Sequence, residues 1–311
     1  MAVGLDSIVG QSLAVSILRR GLETNTLSHA YLFHGDAGLG KETTARAVAD
    51  ELIKQGGIYS QFRVIEGTPS IKIEQIRLLK EQSEYSQNGN LVWLIKDVDN
   101  MTPQAANAFL KTLEEPVKGV YFFLTTTSLH SLLPTIVSRC QLIPFRSISE
   151  DVIRDYLAEK TGVDREDVKV RLAARMARGS IGRAIEYWDG PVLEHRREVL
   201  DRLSQIPILS FPEVLGMSQN WNEDRQQVLM DLQLMLEWYR DLAAIKSGVD
   251  LPLYNPDYEN ELTEISADYS YRSLFRIIQE ISEMVSAIQG NARVRFCIGY
   301  LLLIMKKGAL A

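Results

Sequence analysis

The sequence predicts an α/β domain with a parallel sheet, followed by an all-α region. Short apolar runs alternate with helix-like segments over residues 1–145, a pattern typical of a parallel sheet that helices cover on both faces. The glycine-rich stretch GDAGLGK, residues 35–41, separates the first apolar run from the helix that follows it. Residues 191–311 carry long helical patterns without a convincing strand.

The predicted strands are short apolar runs, a length typical of strands buried inside a sheet. They are Ala30–His34, Phe62–Glu66, Leu91–Ile95, Tyr121–Thr125 and Gln141–Phe145. The helices between them are predicted from apolar residues that recur at helical spacing. They are Ser12–Gly21, which stops at a glycine, Thr43–Ile53, Ile73–Gln82 and Pro103–Glu114, which Thr102 can cap.

The character of the sequence changes after residue 145. Ser149 can cap a helix, and the stretch GSIG, residues 179–182, interrupts the helical pattern that follows. Further helices are predicted at Glu166–Arg178, Glu223–Lys246 and Tyr271–Ile288. We therefore expect a small helical region and a helical C-terminal domain after the sheet.

Composition and charge argue against several classes of protein. The chain has 311 residues, a formal net charge of −6 and a pI of about 5.4, which excludes a generally basic, DNA-coating protein. Its two cysteines, Cys140 and Cys297, have no metal-binding or disulfide spacing, which fits a reducing cytoplasm. Residues 1–11 lack the features of a signal peptide. The ten-residue apolar run Phe296–Met305 is too short for a bilayer and predicts a buried helix, so no membrane partner is expected.

The stretch GDAGLGKET has the pattern of a phosphate-binding loop with one altered position. Gly35, Gly38 and Gly40 let the backbone N–H groups turn toward a phosphate, and Lys41 would reach the outer phosphates. The next residue should be a Ser or Thr that binds Mg²⁺, yet it is Glu42. Thr43 lies one position further on, about 100° round the helix, so it is not a simple substitute. Two interpretations stay open: Glu42 repels the nucleotide, or it turns outward as a harmless first-turn glutamate.

A second departure lies at the end of the predicted strand Leu91–Ile95. An NTPase needs an acidic pair there, one carboxylate to position Mg²⁺ and one to orient water. This chain has Lys96 followed by Asp97. The alternatives are that Asp97 and Asp99 together suffice, or that this is an ordinary solvated strand end. Both predicted metal-handling positions are therefore altered, and weak or absent binding of Mg²⁺ and ATP is expected.

Four stretches in sequence order resemble one family. They are HAYLFHGDAGLGKETTARAVA (29–49), IKIEQIRLLKE (71–81), MTPQAANAFLKTLEEP (101–116) and LLPTIVSRCQ (132–141). The sequence is similar to bacterial clamp-loader subunits, the AAA+ proteins of the DNA polymerase III holoenzyme, and residues 291–306 resemble the last helix of their collar domain. The resemblance implies an AAA+ P-loop (RecA-like) domain at 1–146, a helical lid domain at 147–190 and a helical collar domain for oligomerisation at 191–311.

Within that family, the altered positions Glu42 and Lys96 resemble the delta-prime branch more than the ATP-hydrolysing gamma/tau motors, which remain the alternative. The resemblance implies a hetero-oligomeric ring with gamma/tau and delta subunits, which loads the sliding clamp onto primed DNA through the assembled complex. It implies no polymerase activity in this chain and an inactive ATPase site. Residues 53–70 contain no cysteine, so the zinc module common in the family is absent and no structural metal is expected.

The resemblance also assigns roles to three residues outside the loop. Arg139, in the motif Ser-Arg-Cys, is expected to act as an arginine finger in a neighbouring subunit's site, against the alternative of a surface arginine or an inter-subunit salt bridge. Thr126 lies at the family's sensor position, although its neighbours Thr125 and Thr127 leave the register open by one. Arg183 lies near the second sensor but is shifted by one residue, so a solvated helix arginine is an equal alternative.

Overall fold

The computed structural model describes residues 4–67, 69–84, 89–249 and 251–309. Residues 1–3, part of the segment assessed above for a signal peptide, lie outside them. The chain forms two compact units, Met1–Ile185 and Glu186–Ala311. The α/β domain and most of the predicted lid belong to the first unit, and the division into three domains stays a prediction.

The first unit alternates strands and helices as the sequence predicts. Its strands are β1 (Ala30–His34), β2 (Gln61–Ile65), β3 (Leu91–Ile95), β4 (Val120–Thr126) and β5 (Gln141–Pro144). Its helices are α1 (Ser12–Glu23), α2 (Lys41–Gly56), α3 (Ile73–Glu84), α4 (Pro103–Glu114), α5 (Pro134–Val137), α6 (Glu150–Thr161) and α7 (Val168–Met176). Helix α8 (Ile181–Asp189) begins in the first unit and ends in the second.

The five strands form one parallel sheet in the order β2-β3-β4-β1-β5. Strand β1 pairs with β4 on one side and with β5 on the other, so the order of strands reverses beside it. In parallel sheets the crevice at such a reversal, outside the carboxyl ends of the strands, is where ligands bind. The predicted phosphate loop follows β1 and therefore starts at this crevice.

Helices cover both faces of the sheet, as the buried apolar strands require. On one face, Phe109 of α4 packs edge-on against Phe122 of β4, with ring centroids 5.6 Å apart. On the other face, apolar residues of α1 and α2 pack on a cluster that includes Tyr31, Phe33 and Phe123. The fold class predicted from the sequence, a parallel α/β sheet followed by helices, is confirmed.

Among its described residues, the second unit contains helices and no strand. Its helices are α9 (Val192–Gln205), α10 (Phe211–Gln219), α11 (Arg225–Ser247), α12 (Glu259–Ser266), α13 (Tyr271–Gln289) and α14 (Val294–Gly308). The long helix α11 packs against α9, α12 and α13. The buried Arg196 of α9 forms an ion pair with the more exposed Asp257: its guanidinium donates to both carboxylate oxygens of Asp257 at 2.7 Å and to Asn255 at 2.8 Å.

Several predicted bounds differ by a few residues, such as Thr43–Ile53 for α2 and Glu166–Arg178 for α7, and two further predictions are wrong about packing. Helix α1 does not stop at Gly21 but continues to Glu23. Gly21 allows close packing instead, since a Cβ there would lie 2.6 Å from Leu27 Cδ2. The run Phe296–Met305 is helical, yet Phe296 and Tyr300 are 70% and 45% exposed, so the helix is buried on one side only. In the part of the chain described, no helix is long and apolar enough to cross a membrane.

The packing of α4 on the sheet predicts how much stability is lost when a buried side chain is removed from that interface. Phe109→Ala removes a fully buried ring from that interface, so we expect the free energy of unfolding to fall by about 3–5 kcal/mol. Urea denaturation measures the change. The matched control is Lys111→Ala, an exposed position on the same helix, which should change stability by less than about 0.5 kcal/mol. Equal effects of the two substitutions would contradict this packing.

Candidate functional site

A cavity of about 390 Å³ lies at the carboxyl edge of the sheet, within the size range of small-molecule sites. The loop after β1 forms one wall, and the ends of β3 and β4 form another. Apolar side chains gather at Ile8, Val9, Tyr156, Ile181 and Ile185, whereas the loop and strand ends supply the polar groups. The lining residues are Ser7, Ile8, Val9, Ala37, Gly38, Leu39, Gly40, Lys41, Glu42, Thr43, Lys96, Asp97, Thr125, Thr127, Tyr156, Ile181, Gly182 and Ile185.

The loop backbone requires glycine at two of the predicted positions. Gly35 has φ of 141°, and a Cβ there would lie 2.3 Å from the carbonyl oxygen of Phe145. Gly38 has φ of 77°, and its Cβ would lie 2.2 Å from Ser180 Oγ. The N–H of Gly182 donates to the carbonyl of Gly38 at 3.0 Å, so the start of α8 rests directly on the loop. Arg183, the next residue, is exposed and is not among the described residues that line the cavity.

Lys41 is the first residue of α2 and its side chain is buried under the loop. Its ammonium donates to the carbonyls of Gly35 and Asp36 at 2.6 and 2.7 Å. Burial lowers the pKa of Lys41, against the charges of Asp97, Asp36 and Asp99. At the end of β1, burial of the His34 imidazole and the charge of the nearby Lys41 lower the pKa of His34. The loop thus presents one buried cation beside its backbone.

Glu42 and Lys96, the two altered positions, bind each other. Lys96 Nζ lies 3.0 Å from Glu42 Oε2 and 2.8 Å from Glu66 Oε1. The other oxygen of Glu42 accepts two hydrogen bonds from the guanidinium of Arg46, at 2.9 and 2.7 Å. Glu42 is therefore neither an unpaired repelling charge nor a free outward glutamate, the two interpretations that the sequence left open.

The pKa values of this cluster follow from its geometry. Burial raises the pKa of Glu42, but the hydrogen bonds and charges of Arg46 and Lys96 together outweigh it and hold that pKa below its ordinary value. The hydrogen bond to Glu66 raises the pKa of Lys96, with Glu42 adding to it against partial burial. Sequence reasoning missed Arg46 and Glu66. Arg46 could have been found, since it lies four residues after Glu42 on a helix, whereas Glu66 enters only through the pairing of β2 with β3.

The strand ends beside the loop are held by threonine hydroxyls. Thr125 accepts a hydrogen bond from the backbone N–H of Asp97 at 3.1 Å, and Asp97 has a left-handed φ of 50°, which is uncommon outside glycine. Thr126, the predicted sensor, is fully buried and its hydroxyl lies 2.9 Å from Asp99 Oδ1. Thr125 and Thr127 line the cavity, whereas Thr126 is not among the described residues that line it. The sensor role itself stays a prediction.

The donor set does not fit the Mg²⁺ that ATP-hydrolysing members of the family use. This ion takes near-octahedral oxygen ligands, commonly one or two carboxylates together with phosphate oxygens. Here Arg46 and Lys96 occupy the carboxylate of Glu42, and the end of β3 supplies an ammonium. The hydroxyl of Thr44 donates to the carbonyl of Gly40 at 2.9 Å. Across the described ranges, no group of three or more His, Cys, Asp or Glu side chains is arranged to hold a metal ion.

Arg139 follows the short helix α5, and it is not among the described residues that line the cavity of its own chain. Its guanidinium donates to Glu114 Oε1 at 2.5 Å and to the carbonyl of Thr135 at 3.0 Å, while its side chain remains 33% exposed. Burial raises the pKa of the neighbouring Cys140 to about 12. Arg139 is therefore held at the C-terminal end of α4 and stays partly exposed.

Comparison with known proteins matches two regions of the chain. Residues 10–149 match the family described as DNA polymerase III, delta subunit. Residues 192–297 match the family described as DNA polymerase III, delta subunit, C terminal. The two matches cover most of both compact units.

Individual relatives agree with these matches. The chain is similar to the DNA polymerase III subunit delta' of Bacillus subtilis, with 27% identity over 96% of this chain and 97% of the relative. It is 31% identical to the Haemophilus influenzae subunit delta', over 84% and 86% of the two chains. The subunit gamma of Buchnera aphidicola is 33% identical over 83% of each. A Thermotoga maritima structure described as a DNA polymerase III, gamma subunit-related protein has the same fold, with a TM-score of 0.51 at 20% identity over 94% of this chain and 99% of that one.

The Glu42 cluster predicts a pH dependence. A carboxylate whose pKa is lowered by folding stabilises the fold above its unfolded pKa of 4.5, and this contribution is lost as the pH falls through the lower folded value. At neutral pH we expect Glu42→Gln to lower the free energy of unfolding by less than about 1 kcal/mol, since both partners are partly exposed. The difference should vanish well below pH 4.5.

Urea denaturation of both proteins at neutral and acidic pH measures this difference. The matched control is Glu51→Gln on the same helix, whose carboxylate pairs with the exposed Lys54 and should contribute less. A stability difference between wild type and Glu42→Gln that grows as the pH falls would contradict the pairing.

Proposed function

We propose a delta'-like role in a clamp loader for this chain, which belongs to the family of DNA polymerase III delta' and gamma subunits. In this role it joins gamma/tau and delta subunits in a hetero-oligomeric ring that places the sliding clamp on primed DNA. The observation that carries the proposal is the ion pair between Glu42 and Lys96, since it replaces the hydroxyl and the acidic residue that an ATP-hydrolysing subunit needs. The chain's own site would then not turn over ATP.

The catalytic contribution of the chain would be made in its neighbour's site. A guanidinium that approaches a transferring γ-phosphate stabilises the charge that builds up on it. Arg139 supports this role because it is partly exposed and lies outside the lining of its own cavity. The contact with Glu114 would keep the guanidinium oriented until the neighbour's nucleotide binds. Glu114 would then be a positioning residue and Arg139 the group that touches the phosphate.

A gamma/tau-like motor is the second candidate. The 33% identity to the Buchnera gamma subunit favours it, as does the intact shape of the loop with Lys41 at the start of α2. The two candidates differ in which site consumes ATP. In a motor, turnover depends on Lys41 of this chain, whereas in a delta'-like subunit it depends on Arg139.

The first test measures ATPase activity of the reconstituted loader with sliding clamp and primed DNA, changing this chain only. We expect Arg139→Ala to slow turnover by about tenfold or more, which corresponds to at least about 1.4 kcal/mol in the barrier. Lys41→Ala should leave turnover nearly unchanged. The control is Arg165→Ala, another partly exposed arginine that pairs with nearby carboxylates. If Lys41→Ala is the damaging change, the chain is a motor.

The second test separates positioning from catalysis. Glu114→Gln removes the ion pair and keeps Arg139, so we expect turnover of the loader to fall by only about two- to fivefold, the range that follows from an exposed ion pair. The loss should appear in kcat rather than in KM for ATP, because the neighbour's binding of nucleotide is untouched. Glu115→Gln, the adjacent exposed glutamate, is the matched control. A loss as large as that of Arg139→Ala would argue that Glu114 itself is essential.

A further inference from the structure

The cavity has the groups that bind phosphate, whereas the two positions expected to handle a divalent cation are occupied by Glu42 and Lys96. The glycine loop, the N-terminus of α2 and the buried Lys41 remain in place. Lys96 at the end of β3 lines the same cavity, and its ammonium is bound to Glu42 and Glu66. A positive side chain thus stands beside the loop at the end of β3, where an NTPase has a carboxylate that positions its metal ion.

The charges around Lys96 make this arrangement compatible with an anion. A carboxylate of Glu42 without partners would repel a phosphate, but it is neutralised by Arg46 on one oxygen and Lys96 on the other. An ammonium has three N–H donors. Within the described contacts, two of them are directed to Glu42 and Glu66, which leaves one for a further acceptor. Lys41 is a second cation that lines the cavity, and Asp97 is the other carboxylate, besides Glu42, among the described lining residues.

The remainder of the cavity suits a base and sugar rather than a bare phosphate. Its volume of about 390 Å³ exceeds what an inorganic anion needs, and its other side is apolar. Ile8 and Val9 come from the segment before α1, Tyr156 from α6, and Ile181 and Ile185 from α8. A flat, weakly polar ring system would bury its faces against such side chains. The two ends together match the chemistry of a nucleotide.

We propose that this cavity binds a nucleoside di- or triphosphate without a divalent cation, and that the ammonium of Lys96 takes the place of the metal. The inference rests on the proposed function in one respect, namely that the chain's own site does not turn over. A nucleotide held in this way would be a structural ligand that fixes the start of α8 on the loop, because Gly38 and Gly182 already join the two.

Isothermal titration calorimetry of the full chain with ADP tests this proposal, once with EDTA and once with excess Mg²⁺. For the wild type we expect dissociation constants that differ by less than about twofold between the two buffers. Lys41→Ala should abolish binding in both. The double variant Glu42→Thr/Lys96→Asp restores a hydroxyl and a carboxylate, so its affinity should become about tenfold or more higher with Mg²⁺ than with EDTA.

The matched control is Lys118→Ala, an exposed lysine outside the cavity, which should bind as the wild type does. The proposal is overturned if wild-type affinity rises about tenfold or more with Mg²⁺, or if ADP does not bind in either buffer. The result of this binding experiment does not depend on the ATPase activity of the assembled loader, so the two proposals can fail separately. A chain that binds ADP only with Mg²⁺ can still supply Arg139 to its neighbour, and a metal-independent site can exist in a chain whose Arg139 has no effect.

Discussion

The parallel pairing of β1 between β4 and β5 is the constraint on which the site depends. Because parallel strands all end at the same edge, this pairing brings the glycine loop, the end of β3 and the end of β4 to one crevice. The burial of the sheet under α1 and α2 on one face and α3 and α4 on the other fixes the strands in that order. Residues that are far apart in the sequence, such as Glu42 and Lys96, can then form an ion pair.

That ion pair sets the charge of the crevice, beside a loop that has the backbone turns of a phosphate-binding loop. Gly35 and Gly38 still hold the backbone turns that a phosphate loop needs, and Lys41 still begins the helix behind them. What has changed is the sign of the charge at the end of β3 and the character of the first side chain after Lys41. A pair of complementary substitutions keeps the local charge balanced, so the loop need not unfold or open when the metal ligands are lost. The proposed loss of turnover therefore needs no change in the fold of this domain.

The sequence predicted the central elements well and the side-chain pairings poorly. Strands β1 and β3 have the predicted bounds because both are apolar runs bounded by polar residues. The end of α1 was wrong because a glycine can mark close packing as well as a stop, and only the contact with Leu27 distinguishes the two. The threonine register depended on which of three neighbours points inward, and one-residue alternation along a strand decides that only once the buried face is known. The partners of Glu42 could not be foreseen in full, since Glu66 meets Lys96 through strand pairing.

The most direct test of the account is a crystal structure of the full chain grown with ADP and Mn²⁺, recorded for anomalous scattering. We expect phosphate oxygens in the loop, Lys96 Nζ within hydrogen-bond distance of one of them, and no anomalous peak beside the carboxylate of Glu42. A Mn²⁺ peak bonded to Glu42, with Lys96 displaced from the cavity, would contradict it. That result would mean that the site has kept its metal by another set of ligands.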